Sequence, residues 1–286
     1  MAPTMLLIRQ PRSGCAGNCK TTDPKRGATS MPYAKINGFN FYFESHGSGP
    51  AVVFAHGRGG NHMSWWRQVP AFSESFRCIT FDHREFGLSC NPPDTRGKHA
   101  FVDDLVGLLD HLSIESVFLV GQSMGGWTAL NFALQYPRRS RALVLTNTTG
   151  GIGDPSVVDL LIKRGDAGAS RITGPGFNEE NPDLAFLIAQ LRTLNDTLNP
   201  PLRETRASFM TSSEGPKAAE LSKMSVPTLM IGSEQDVLFP PDVISACVKL
   251  IPGAQLKMFD GPGHFVHYER PAEFNKLVME FFGNAK

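Results

Sequence analysis

Apolar and polar positions along the chain follow two periods, one typical of strands and one typical of helices. An alternating stretch over 33–46, with Asn37-Gly38 at its centre, predicts a β-hairpin. Apolar runs predict further strands near 51–55, 77–82, 116–120, 141–146, 226–231 and 255–259. Helical spacing occurs near 64–72, 99–111, 124–136, 240–250 and 270–282. Strands that alternate with helices predict an α/β protein with a mostly parallel sheet that is covered on both faces.

The stretch from 150 to 222 interrupts this alternation. It carries helical segments near 155–164, 182–197 and 201–212, separated by Gly-Pro-Gly and Asn-Pro-Pro, and it shows no convincing strand. We therefore predict a helical insertion at 150–222 within a core formed by 31–149 and 223–286.

Composition narrows the class of protein. The chain has 286 residues, of which 41% are hydrophobic and 19% charged, and this suits one sizeable core with an insertion. A net charge of +1 gives no electrostatic reason to expect a nucleic-acid or anionic-membrane partner. No apolar run approaches the roughly 18 residues of a membrane helix. The five cysteines show no disulfide framework, so we expect a cytoplasmic protein.

The first 30 residues differ from the rest. They hold five Lys or Arg, one acidic residue and many Ser, Thr, Gly and Pro, and their only apolar run is too short for a secretory signal. We expect a disordered leader at 1–30. Two alternatives stay open: translation that starts at Met31, and an organelle transit peptide.

Residues 121–126 read Gly-Gln-Ser-Met-Gly-Gly and lie between a predicted strand and a predicted helix. A G-x-S-x-G turn in that context is typical of a nucleophile elbow, in which the serine stands at the tip of a sharp turn. Ser123 is the predicted nucleophile, and the N–H of Met124 points into the same space from the start of the helix.

A serine nucleophile needs a base, and the base needs an orienting acid. Asp236 and His264 each follow a predicted strand near the C-terminus, and parallel strands place sites at their carboxyl ends. We predict Asp236 as the acid and His264 as the base. Upstream, the apolar strand 51–55 precedes His56-Gly57-Arg58-Gly59-Gly60, and this loop predicts Arg58 N–H as the second oxyanion-hole donor beside Met124 N–H.

With these four elements in order, the chain resembles the α/β-hydrolase family from about Met31 to Lys286. The resemblance implies an eight-stranded sheet with an antiparallel second strand, and a helical cap at 150–222 over the active site. It also implies that substrate preference resides in the cap.

Candidate pocket residues are Met63, Trp127, Phe177, Phe186, Phe209 and Met210. The guanidinium of Arg58 is a further candidate, for gripping a carboxylate of the substrate.

The predicted function is hydrolysis of a small-molecule carboxylic ester or lactone through an acyl-enzyme. We expect no cofactor and no metal, since the sequence carries no Walker loop and no zinc-ligand spacing. Relatives in this family also cleave carbon–carbon bonds of ring-cleavage products, act as cofactor-free peroxidases, or serve as low-turnover receptors, and these alternatives stay open. Carbon–carbon hydrolases often carry Trp after the catalytic histidine, where this chain has Phe265. A homodimer also stays open.

Overall fold

The computed structural model describes residues 32–89, 97–164, 172–198 and 209–285. The leader predicted at 1–30 lies outside these ranges, as does most of the helical segment predicted near 201–212.

The described strands form one eight-stranded sheet in the order β1-β2-β4-β3-β5-β6-β7-β8. Only β2 runs against its neighbours β1 and β4, and all other adjacent strands are parallel. This arrangement confirms the predicted α/β architecture. The strands are Tyr33–Ile36 (β1), Phe39–His46 (β2), Ala51–Ala55 (β3), Arg77–Phe81 (β4), Val117–Gln122 (β5), Ser140–Thr146 (β6), Thr228–Ser233 (β7) and Gln255–Phe259 (β8).

Helices connect the strands and cover both faces of the sheet. They are Val69–Phe72 (α1), Phe101–His111 (α2), Met124–Gln135 (α3), Pro155–Arg164 (α4), Phe177–Glu180 (α5), Pro182–Leu198 (α6), Ala218–Leu221 (α7), Pro241–Leu250 (α8), Val266–Glu269 (α9) and Pro271–Asn284 (α10). None of these described helices is both long and apolar enough to cross a membrane.

The helical stretch predicted near 64–72 is divided into two short elements. A 3₁₀ turn over His62–Trp65, capped by the side chain of Asn61, precedes the short helix α1. Pro70 has no backbone N–H to continue an α-helix across this junction, so the segment divides before it.

Two buried clusters show how the sheet is covered. Along β3, Val53 packs into the cluster that contains residues of α2, α3 and α8, whereas Val52 and Phe54 pack into the cluster that contains Phe72 of α1 and Phe282 of α10. Successive strand residues point to opposite faces, so an unbroken apolar run is what a strand buried on both faces requires.

The fold brings several loops to one edge of the sheet. Because β3, β5, β6, β7 and β8 are parallel, the loops that follow them all emerge at their carboxyl ends. The connection from β6 to β7 carries helices α4 to α7 and has no strand among its described residues. We call this connection, residues 147–227, the insertion.

Candidate active site

Ser123 occupies a strained turn between β5 and α3. Its φ of 52° and ψ of −118° lie in a region that non-glycine residues rarely adopt. The turn is held by hydrogen bonds from Ser123 N–H to Thr146 O at 3.2 Å and from Thr148 Oγ1 to Ser123 O at 2.6 Å. The strand, the tight turn and the helix therefore present the Ser123 side chain at the carboxyl edge of the sheet.

Two glycines allow this turn to form. A Cβ atom at position 121 would lie 2.6 Å from Gly125 O, and one at position 125 would overlap Ala55 O of β3. Helix α3 thus begins directly against the backbone of β3 and β5. Only glycine permits this close approach, and this is the physical reason for the spacing of the motif.

Asp236 lies in the loop after β7 and is 2% exposed. Its Oδ1 accepts Leu238 N–H at 2.8 Å and Phe239 N–H at 3.2 Å, so the local backbone fixes the carboxylate. Its Oδ2 accepts a hydrogen bond from His264 Nδ1 at 3.0 Å and another from Asn147 Nδ2 at 3.0 Å. The structure therefore joins an acid and an imidazole that the sequence separates by 28 residues.

Opposing effects set the charge of Asp236. Burial acts to raise the pKa of this carboxyl group. The electrostatic attraction and the hydrogen bond of His264, together with the hydrogen bond from Asn147, act more strongly and lower the pKa below its ordinary value. The group is therefore an anion at neutral pH, and this holds the proton of His264 on Nδ1.

His264 follows β8 and is anchored through its own backbone. Its N–H donates to Ile172 O of the insertion at 2.7 Å. The preceding residue, Gly263, donates its N–H to the carboxylate of Glu269 at 3.1 and 3.2 Å. With Nδ1–H directed at Asp236, Nε2 of the neutral ring is an acceptor, and Gln122 Nε2 lies 3.1 Å from it.

Glu269 links the histidine loop to the insertion. Besides Gly263 N–H, its Oε2 accepts Gly174 N–H at 2.8 Å. Burial raises the pKa of Glu269 to about 7, although the backbone hydrogen bonds from Gly174, Gly263 and Phe265 act in the opposite direction. One carboxyl group that titrates near neutrality thus clamps the loop that carries His264.

A cavity of about 360 Å³ opens over Ser123. Core residues on its wall include Arg58, Met124 and His264. The insertion contributes the residues Thr148, Thr149, Gly151, Ile172, Arg192, Phe209 and Met210. Both predicted oxyanion-hole residues and the predicted nucleophile and base therefore face one space.

The predicted pocket residues divide into two groups. Phe209 and Met210 lie on the cavity wall. The described wall does not include Met63, Trp127, Phe177 or Phe186, and two of these face solvent, with Met63 41% and Phe186 66% exposed. Trp127 is buried behind the wall, where its ring lies 5.8 Å from that of Phe209.

Comparison with known proteins identifies the family. The model of the α/β-hydrolase fold family matches residues 50–171 and 178–271. The chain belongs to the α/β-hydrolase fold family.

Relatives of this α/β hydrolase act on different substrates. It is 31% identical to the 2-hydroxymuconate semialdehyde hydrolase of Pseudomonas sp. (strain CF600), over 84% of this chain and 89% of that protein. Among solved structures, it resembles the enol-lactonase of Burkholderia xenovorans LB400, with 26% identity, a TM-score of 0.71 and coverage of 88% and 100% of the two chains. It is similar to a malate-bound thermophilic esterase of Thermogutta terrifontis, with 26% identity, a TM-score of 0.72 and coverage of 89% and 97%.

Several residues around the site of this α/β hydrolase were not predicted from sequence: Gln122, Asn147, Glu269 and Arg192. Gln122 is visible as the residue before the serine of the motif, but its type suggests no particular role. Asn147 follows β6 directly, but an amide there does not by its type indicate a role beside the acid. Glu269 and Arg192 lie on helices whose orientation depends on the whole fold.

Proposed function

We propose that this protein is a serine hydrolase that cleaves a carboxylic ester or lactone of a small to medium organic substrate through an acyl-enzyme. The observation that carries the proposal is the hydrogen bond between Asp236 and His264, set beside Ser123 on the wall of one cavity. A buried carboxylate, an oriented imidazole and an exposed hydroxyl on a strained turn are the groups that acyl transfer requires.

In the proposed reaction, His264 Nε2 takes the proton of Ser123 as Oγ attacks the carbonyl carbon. Asp236 stabilises the imidazolium that forms, and its lowered pKa keeps it anionic while it does so. The N–H groups of Arg58 and Met124 hold the oxyanion, at about 3–4 kcal/mol of transition-state stabilisation per donor. His264 then protonates the leaving oxygen, and the C–O bond breaks. A water molecule, deprotonated by His264, then attacks the acyl-enzyme. His264 returns this proton to Ser123 Oγ as the acyl C–O bond breaks, and the acid and Ser123 are released.

The cavity supports a substrate that carries a carboxylate. Arg58 and Arg192 both line it, one from the loop after β3 and one from α6. A planar guanidinium binds a carboxylate through two parallel N–H donors, so two arginines favour an acidic over a neutral ester. The malate bound to the similar esterase is itself a dicarboxylate, and this agrees with the proposal.

Carbon–carbon bond hydrolysis is the second candidate function. It is favoured by the 31% identity to a hydrolase of 2-hydroxymuconate semialdehyde. The same groups could serve both reactions, because each needs a base beside a polarised carbonyl. Phe265 after His264, where carbon–carbon hydrolases often carry Trp, favours the ester or lactone reading.

One experiment tests the proposal. The wild type and Ser123→Ala are incubated with a fluorophosphonate probe, with p-nitrophenyl acetate, with an aliphatic lactone and with a dienone ring-cleavage product. We expect the probe to label Ser123 and esters or lactones to turn over only in the wild type. Turnover of the dienone alone would favour the second candidate, and the absence of both labelling and turnover would refute a serine hydrolase.

A further inference from the structure

The side chain of Gln122 makes a hydrogen bond to Nε2 of His264, the nitrogen that would act as the base. Gln122 Nε2 lies 3.1 Å from His264 Nε2 and 3.3 Å from His264 O, so both acceptors near this amide nitrogen belong to the same residue. The Gln122 residue is 3% exposed and lies immediately before Ser123. The contact is therefore a buried one, made within the proposed catalytic centre.

The orientation of this carboxamide follows from the chemistry of its partners. Asp236 holds the ring proton on Nδ1, so Nε2 presents a lone pair and can only accept. An NH₂ group facing Nε2 satisfies it, whereas the carbonyl oxygen would repel it. Gln122 Oε1 instead lies against Gly57, where any Cβ atom would overlap it. The glycine after His56 thus provides the space that the carboxamide fills.

This contact has a consequence for Ser123. A neutral imidazole nitrogen has one lone pair, so a full hydrogen bond from Gln122 competes with one from the serine hydroxyl. Within the described part of the chain, Ser123 Oγ makes no hydrogen bond to His264 or to any other residue. The base is engaged by the amide and not by the nucleophile.

We propose that Gln122 is a positioning residue that holds His264 in a resting state, and that an acidic substrate releases the base by drawing the Gln122 carboxamide away. The inference rests on the proposed function. The amide can only be drawn toward an acceptor, and a substrate carboxylate supplies one.

The surroundings of Gln122 identify where that acceptor would lie. Gln122 lines both the main cavity and a smaller one of about 20 Å³, and Arg58 and Arg192 line both cavities with it. A carboxylate gathered by the two arginines would therefore meet the amide N–H groups. Once Gln122 turns toward it, His264 Nε2 is free to accept the proton of Ser123.

The test measures how fast a small neutral fluorophosphonate labels Ser123, because this probe offers no carboxylate to displace the amide. Gln122→Met keeps the length of the side chain and removes its donors. We expect Gln122→Met to be labelled about fivefold faster than the wild type, the equivalent of losing one ordinary hydrogen bond. Gln122→Glu should be labelled more slowly at pH 7, because a carboxylate at this position pairs with the imidazolium and keeps His264 protonated.

A second variant and a second measurement distinguish the proposed effect from a loss of packing. Gln122→Asn is one methylene shorter, cannot reach Nε2, and should also be labelled faster. In a Ser123→Ala background, the ¹⁵N resonance of His264 Nε2 should move toward that of a free acceptor nitrogen when Gln122→Met is added. A loss of packing alone would slow labelling and leave this resonance unchanged.

The outcomes separate this inference from the proposed function. Wild-type labelling at Ser123, with both Gln122→Met and Gln122→Asn labelled at the wild-type rate or more slowly, would overturn the role of Gln122 and leave the hydrolase intact. No labelling of Ser123 in the wild type or in any variant would overturn the proposed function itself. Faster labelling of both variants, with the ¹⁵N change, supports the inference.

Discussion

Asn147 donates to the same carboxylate oxygen of Asp236 that accepts the Nδ1–H of His264, and both distances are 3.0 Å. Asn147 has a φ of 49°, a conformation that Asn tolerates better than most residues. Its amide also contacts Ser233 Oγ at 3.1 Å and Gly263 O at 3.3 Å, so it connects the loops after β6, β7 and β8.

We predict that Asn147→Gly lowers kcat about tenfold, the equivalent of a hydrogen bond to a charged group, with little change in KM. Glycine keeps the positive φ and removes the donor, and Asn147 is not on the described cavity wall. Steady-state kinetics with p-nitrophenyl acetate measure the effect. Asn131→Ala is the control, since among the described residues its side chain bonds only Trp127 O, within α3. If Asn147→Gly also raised KM about tenfold, this would argue against the role of Asn147 in orienting Asp236.

Asn147→Asp should behave differently. It places a second carboxylate 3.0 Å from Asp236 Oδ2, and two anions at this distance cannot both stay ionised without a large penalty. We expect a larger loss of kcat at pH 8 than at pH 6, where the pair can share a proton. A loss that does not depend on pH would contradict the predicted coupling.

The preference for negatively charged substrates should depend on the two arginines that line the cavity, Arg58 and Arg192. We predict that Arg192→Ala and Arg58→Ala each raise KM about tenfold for an ester whose acyl group ends in a carboxylate, through loss of a charge-assisted contact. KM for the uncharged ester of equal length should stay near the wild-type value. Arg138→Ala, an exposed arginine on the 3₁₀ turn before β6, is the control for net charge. Equal rises of KM for both esters would contradict the proposal that the arginines bind a carboxylate of the substrate.

Glu269 should make stability depend on pH. Its pKa is raised to about 7 in the folded protein, so between its unfolded value and 7 the folded state binds the proton more tightly. This stabilises the fold at acidic pH and is lost as pH rises through 7. Allowing for partial exposure, the free energy of unfolding of the wild type relative to Glu269→Gln should fall by roughly 1–2 kcal/mol from pH 5 to pH 8.

Urea unfolding of both proteins across this range measures the difference. Glu273→Gln, an exposed acid two positions into the next helix, should show no such slope relative to the wild type. The wild type and Glu269→Gln contain the same buried histidines, so the effect of these histidines on the free energy of unfolding cancels in the comparison. Burial lowers the pKa of His56 to about 4, and such groups destabilise the fold only as pH falls below about 6.5. A slope of the opposite sign would refute the raised pKa of Glu269.

Gly125→Ala should destabilise the protein by about 3 kcal/mol or more, because its Cβ atom would overlap the backbone oxygen of Ala55 and force β3 from α3. Gly283→Ala on α10 is the matched control, since nothing lies within 4 Å of its added Cβ atom. That change should be neutral or slightly stabilising. Thermal unfolding of the two variants tests the close approach, and equal melting temperatures would contradict it.

The sequence alone determined the order of strands and helices, the elbow at Ser123 and the positions of Asp236 and His264 after their strands. These features are local, because a period of two or 3.6 residues, or a glycine spacing, depends only on residues that are close together in the sequence. The helical stretch predicted near 64–72 is divided before Pro70, where a local backbone constraint outweighs the apolar pattern.

Only the tertiary structure decided what surrounds those groups. Gln122, Asn147 and Glu269 reach His264 or its loop from sequence separations of 142, 116 and 6 residues, and their residue types alone did not indicate these contacts. It also placed Phe209 and Met210 on the cavity wall, with Met63 and Phe186 toward solvent. Side chains from distant segments meet only where strand order and helix packing bring the segments together, and that arrangement depends on the whole core rather than on any single stretch of the chain.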